Sequence, residues 1–119
     1  MDEYRILFYE TPNGKIPVKE FLDDLDPKMR AKMVQTIAFL QEYGVHARMP
    51  YSEHLSDGIF ELRAKVGSDI SRVLYFFFIG KQIVLTNGFV KKTQKTPTRE
   101  LDLAKKYRKE FLSRKENAK

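Results

Sequence analysis

The sequence predicts an α+β domain: a four-stranded, mainly antiparallel sheet covered on one face by two helices, in the order β-α-α-β-β-β-α. Three observations carry this. A β-rich segment opens the chain, two stretches of helical periodicity follow it, and three closely spaced β-rich segments precede a last amphipathic stretch. The 119 residues with 42% hydrophobic content suit a single domain, 1–119, built on one core.

Residues 4–9 are mostly apolar, aromatic or β-branched and end at the turn residues Pro12, Asn13 and Gly14, which predicts the first strand. Pro17 suits a first helical position, and Val18, Phe21, Leu22 and Leu25 recur at helical spacing. Asp26 and Pro27 supply a cap and first turn for a second helix, whose stripe of Met29, Met33, Ile37 and Leu40 runs to Gly44. Residues 45–57 have little periodicity and read as irregular. The next three strands are predicted at 59–66, 70–79 and 82–90. A final helix is expected after Thr96 and Pro97, with Glu100 in its first turn, a weak stripe through Leu101, Ala104, Tyr107 or Arg108, and Phe111 or Leu112, and fraying after Ser113.

Composition excludes several chemistries. There is no cysteine, so disulfide scaffolds, thiol nucleophiles and cysteine metal sites are ruled out, and two histidines make a His-rich metal site a poor reading; no metal or cofactor is expected. The longest apolar run is residues 73–79, and the first ten residues lack a basic-then-apolar signal layout, so a cytoplasmic protein without membrane contact is expected. The net charge of +6 is uneven: residues 1–80 hold 10 basic and 12 acidic side chains, residues 81–119 hold 12 and 4. This favours an anionic partner, with nucleic acid the first candidate.

Strand register sharpens the charge argument. Gly80-Lys81 can form a two-residue type II′ hairpin, pairing Ile79 with Gln82 and Arg72 with Phe89; the same device at Gly67-Ser68 puts Arg63 opposite Arg72. Glu61, Arg63, Arg72, Leu74, Asn87, Phe89 and Lys91 then share one face, while Phe60, Leu62, Val73, Tyr75, Phe77 and Val84 take the other and pack on the early helices. Two adjacent arginines near a lysine repel unless an anion is the intended neighbour, so the uncovered face reads as a polyanion site. The alternative is that Arg63 pairs with Glu61 or another carboxylate and only ties down a strand; a one-residue slip would also dissolve the cluster. Phe89 followed by Lys91, Lys92 and Lys95 suits base stacking and phosphate binding. Phe76, Phe77 and Phe78 read as core. His46 and His54 lie in the irregular segment, where a lone histidine is more often solvated than catalytic.

Phe21-Leu22, the run Leu55-x-x-Gly58-Ile59-Phe60-Glu61-Leu62-Arg63, then Arg72-Val73-Leu74-Tyr75-Phe76, then Gly88-Phe89-x-Lys91-Lys92-Thr93-x-Lys95-Thr96-Pro97, and finally Ala104 resemble, in order and spacing, a HigB-type toxin of the RelE/ParE superfamily, in its phage-related branch. The resemblance covers nearly the whole chain. It implies a RelE-like fold and a metal-independent endoribonuclease that cleaves mRNA on the ribosome and so inhibits translation. It also implies a cognate helix-turn-helix, HigA-like antitoxin that with the toxin binds operator DNA.

In such chemistry the 2′-hydroxyl attacks the adjacent phosphate, and fixed cations stabilise the charge gained in the transition state. Arg63 and Arg72 are assigned to clamping the phosphate, and Lys91, or Lys92 if the strand bulges, to charge stabilisation or proton transfer. Phe89 would stack a base and Lys95 would hold the flanking backbone. The last residues, 111–119, carry neither the histidine nor the tyrosine that some superfamily members use as acid or base, leaving His54 and Glu61 as outside candidates and Tyr107 upstream. The alternatives are a ParE-like, non-hydrolytic DNA gyrase poison and a module that only binds nucleic acid or a partner.

Overall fold

The structure, a computed structural model, describes residues 3–47, 51–91 and 95–117, and of Lys91 the backbone. Its elements run β1 (Arg5–Phe8), α1 (Pro17–Asp24), α2 (Pro27–Tyr43), β2 (Ser52–Ser56), β3 (Ile59–Val66), β4 (Asp69–Phe78), β5 (Gln82–Lys91) and α3 (Thr98–Asn117), with a turn of 3-10 helix at Gly44–His46. Local chemistry accounts for the helix limits. Pro17 and Pro27 open α1 and α2, the Asp26 carboxylate accepts from the Met29 N–H at 3.0 Å, and Gly44, at φ 50°, ends α2 where most residues would be strained. The Arg30 guanidinium donates to the carbonyls of Leu22 (2.8 Å), Asp23 (3.0 Å) and Leu25 (2.8 Å), closing the exposed end of α1 and setting the corner between the two helices.

The sheet has five strands in the order β1-β5-β4-β3-β2, all antiparallel neighbours except the parallel β1–β5 pair. The α+β class and the two early helices agree with the sequence expectation; the strand count does not. β2, with the sequence SEHLS, is an edge strand carrying one aliphatic side chain, so neither periodicity nor β-propensity marks it within residues 45–57. Leu62, Ala64, Val73, Tyr75, Ile83 and Leu85 pack beneath α1 and α2 against Val18, Leu22, Met29, Met33 and Leu40.

The second face is not left open. α3 lies on it, burying Ala104 and Phe111 with Leu74, Phe76 and Val84, and the Phe111 ring meets Phe78 edge-on at 5.1 Å. The Tyr9 hydroxyl donates to Glu110 at 2.7 Å, and Asn87 donates to the Glu100 side chain at 3.1 Å, tying both ends of α3 to the sheet. Past Ser113 the Arg114 guanidinium donates to the Glu10 carbonyl at 2.6 Å, and α3 remains helical to Asn117 rather than ending at Ser113.

Two further differences share one cause. The β4–β5 loop has three residues, Ile79, Gly80 and Lys81, with Phe78 rather than Ile79 opposite Gln82. Gly80 (φ 70°) and Lys81 (φ 65°) both adopt left-handed backbone. A bulge at Thr86 then absorbs the offset, since Tyr75 pairs with Leu85 but Leu74 with Asn87, and beyond it Arg72 faces Phe89 as expected. Before the bulge the faces are exchanged, which moves Val84 opposite Phe76 and onto the α3 side. No helix among the described residues is long and apolar enough to cross a membrane.

Gly88, opposite Val73, gives Phe21 its seat: a Cβ there would lie 2.4 Å from the ring. Gly88→Ala is expected to cost about 1–3 kcal/mol through overpacking, measured as a lower urea midpoint, with Phe21→Leu in the same chain recovering part of it. An unmoved midpoint would show that the ring does not need the space.

Candidate functional site

β3 and β4 pair through Gly67 so that Arg63 stands directly opposite Arg72, and Glu61 opposite Leu74, one position along the same face. Edge strand β2 adds Glu53 opposite Glu61. Alternation along the strands and pairing across them thus gather two carboxylates and two guanidiniums on one side of the sheet.

Their contacts are specific. The Glu61 carboxylate is fully buried, with its Oε2 2.8 Å from Nε of Arg63 and 2.5 Å from a terminal nitrogen of Arg72. Its Oε1 accepts from the Thr96 hydroxyl, reached from the segment leading into α3. Glu53, exposed at the rim, pairs with the outer nitrogen of Arg63. Burial alone would push the Glu61 carboxyl up, but the hydrogen bonds from Thr96 and Arg63 and the charges of Arg72 and Arg63 outweigh it and hold it below the ordinary carboxylate range. Glu61 is therefore an anion at neutral pH and a poor proton donor.

Access differs sharply within the cluster. Arg72 is 3% exposed and sits behind Glu61, and its Nε has no hydrogen-bond partner among the described residues. Arg63 is the outer arginine, its side chain 19% exposed. Beside them a recess of about 200 Å³ is lined by Glu53, Leu55, Lys95, Thr96 and Leu101, with Lys95 exposed. The anion seated between the arginines is thus the chain's own carboxylate, while Glu53, the outer partner of Arg63, lines the recess with Lys95.

Other expected residues fall as follows. Lys91 pairs with Ile70 at the end of β5, two positions beyond Phe89. Lys92 lies outside the described residues. Phe89 is half-buried against the core beneath α3, so part of its ring is used for packing. His54 pairs with Phe60, packs edge-on to that ring at 5.0 Å, and accepts from the Gly58 N–H at 3.2 Å; this puts it on the opposite face from Glu61 and Arg63, separating it from the cluster. Tyr107 stacks on Tyr9 at 4.6 Å, and burial, with the charges of Glu100 and Glu20, pushes its hydroxyl up. Sequence patterns do not single out Thr96 and Glu53 as members of the cluster. Glu53 lies in the segment that reads as irregular, and only the register of β2 reveals it. No group of three or more His, Cys, Asp or Glu among the described residues is placed to hold a metal ion.

Residues 20–109 match the family of phage-derived, Gp49-like proteins (DUF891). The chain belongs to that family. The matched stretch contains β2 to β5, α2 and most of α1 and α3, and so every residue of the Glu61 cluster in this Gp49-like protein. A search of curated proteins gave no match.

Because Glu61 titrates at a lowered value in the folded chain, its ion pairs stabilise fully above the ordinary carboxylate value of 4.5 and are lost as pH falls through the lower folded value. Glu61→Gln should leave two guanidiniums without their buried anion and cost roughly 3–5 kcal/mol at neutral pH. It should also flatten the decline of thermal stability below about pH 5, leaving the slope due to Glu110, whose carboxyl Arg114 and Tyr9 hold down. An unchanged pH profile would remove Glu61 as the linchpin of the cluster.

Proposed function

We propose that this Gp49-like protein is the toxin of a toxin–antitoxin pair, and that it acts as a metal-independent endoribonuclease on mRNA engaged with the ribosome. One observation carries the reading: a buried carboxylate holds the partly exposed Arg63 guanidinium, whose outer partner Glu53 lines a recess that also presents Lys95. A cation fixed in advance by its neighbours loses little freedom when a phosphate arrives and needs no reorganisation as charge develops.

The 2′-hydroxyl oxygen bonds to the adjacent phosphorus, the bond to the 5′-oxygen breaks, and the products are a 2′,3′-cyclic phosphate and a 5′-hydroxyl end. The proton leaving the 2′-oxygen is balanced by the one gained at the 5′-oxygen. Arg63 touches the phosphate, exchanging its outer contact with Glu53 for phosphate oxygens. Arg72 acts through Glu61 as a positioning residue. Lys91 stabilises the developing charge or moves a proton, and Lys92 and Lys95 hold the flanking backbone. Phe89 offers the part of its ring left free of the core to a base. A HigA-like antitoxin partner and its operator DNA belong to the same reading, as does a cytoplasmic location.

A second reading, a non-hydrolytic toxin of the gyrase-poison kind, draws on the burial and internal pairing of Arg72, which keep one of the two arginines from substrate. Mapping mRNA ends after incubation with translating ribosomes separates the two. The ribonuclease reading expects new 5′-hydroxyl ends from the native chain and, because Arg63→Ala also removes a partner of the buried Glu61, a loss on the order of a hundred-fold for that variant when rates are compared per folded molecule, counted by circular dichroism. Intact transcripts together with cleaved DNA in a gyrase assay would overturn it in favour of the second.

A further inference from the structure

Adjoining the Glu61 cluster, with which they share Arg63, three recesses of about 460, 720 and 190 Å³ run between α2 and the end of β3. Lys32 lines all three, Lys65 two of them, and Lys28 and Arg63 one each; no carboxylate lines any of them among the described residues. Lys28, Lys32 and Lys65 are exposed and make no ion pair among the described residues. Lys28 and Lys32 stand one helical turn apart, a spacing at which like charges cost helix stability. At the end nearest Arg63 the half-exposed Tyr51 ring tilts against Phe39 at 4.7 Å, giving a flat aromatic surface beside the cations.

We propose that this groove is a binding track for single-stranded RNA, with Lys65, Lys32 and Lys28 taking successive backbone phosphates and Tyr51 taking a base. Phosphates along a strand match a line of lysines that pair with no carboxylate among the described residues, and a planar ring adds an attraction that a nucleobase exploits and an acidic peptide does not. Arg63 belongs both to the Glu61 cluster and to the lining of the groove, so a strand leaving Arg63 passes directly onto the lysines. The choice of RNA as the polyanion rests on the ribonuclease reading, whereas the groove's affinity for a polyanion does not.

Fluorescence anisotropy with a 2′-O-methyl oligonucleotide of about ten nucleotides, which cannot be cleaved, tests binding apart from catalysis. Lys32→Glu with Lys65→Glu should weaken binding tenfold or more and lower the slope of log K against log salt by about 1.4, near 0.7 for each phosphate that the lysines no longer neutralise. Lys19→Glu on α1, which breaks only the exposed pair with Asp23, should change neither beyond twofold. The milder Lys32→Gln with Lys65→Gln should reproduce the fall in slope. Unchanged affinity and slope in both double variants would overturn the proposal. So would polyglutamate competing as strongly as polyuridylate through the same lysines, because the groove would then be a seat for an acidic polypeptide. A native chain that binds the oligonucleotide through these lysines yet leaves mRNA whole would remove the ribonuclease reading and leave the track standing.

Discussion

A carboxylate with no access to water must be neutralised by its own chain, and Glu61 is neutralised by two arginines and a hydroxyl drawn from three elements. That requirement binds β3, β4 and the segment before α3 to one geometry. Shifting β4 by one residue against β3 would turn Arg72 to the other face and leave the anion half-compensated. The cluster therefore acts as a register lock. The cost of burying the charges is recovered only while every partner is present, which makes it a sensitive point of the fold and a rigid base for Arg63.

Around that lock, coverage decides what can meet a partner. α3 closes most of the face opposite α1 and α2, and the Thr86 bulge lets it do so by turning Val84 toward Phe76 and Ala104 while keeping Arg72 beside Phe89. What remains accessible is the end of the sheet toward β2, where Glu53 and Lys95 line one recess and Arg63 lines another with Lys32 of α2. The basic C-terminal third is largely spent on α3, whose cations pair with Asp57, Glu100 and Glu110 or lie in solvent. The charge useful to a polyanion is thus drawn partly from the first 80 residues, although their sum is acidic.

Much of this was legible in the residues. Pro17, Asp26, Pro27 and Gly44 mark helix limits by local chemistry, and Gly67 sets the Arg63–Arg72 pairing; each acts through its own backbone or a near neighbour. β2 was not legible, because a short polar edge strand owes its existence to the partner it finds in β3. The bulge was hidden as well: the three-residue loop and Thr86 compensate each other, so the expected register at Arg72 emerges from a hairpin of a different kind. Near the cluster, the Arg63–Arg72 register expected from the sequence is the one observed, and Glu61 was visible as a rival partner, but the sequence could not weigh it against an external anion. Burial resolves it, since a carboxylate sealed under α3's leading segment has no alternative to the guanidiniums.

The central claim, that Glu61 and Arg72 stabilise the chain as a pair, is tested most directly by a double-mutant cycle of unfolding free energies with Glu61→Gln, Arg72→Met and both together. Coupling of about 2 kcal/mol or more is predicted, with the double variant less damaged than the single changes added together. Additivity within about 0.5 kcal/mol would contradict it, leaving two side chains that are merely adjacent.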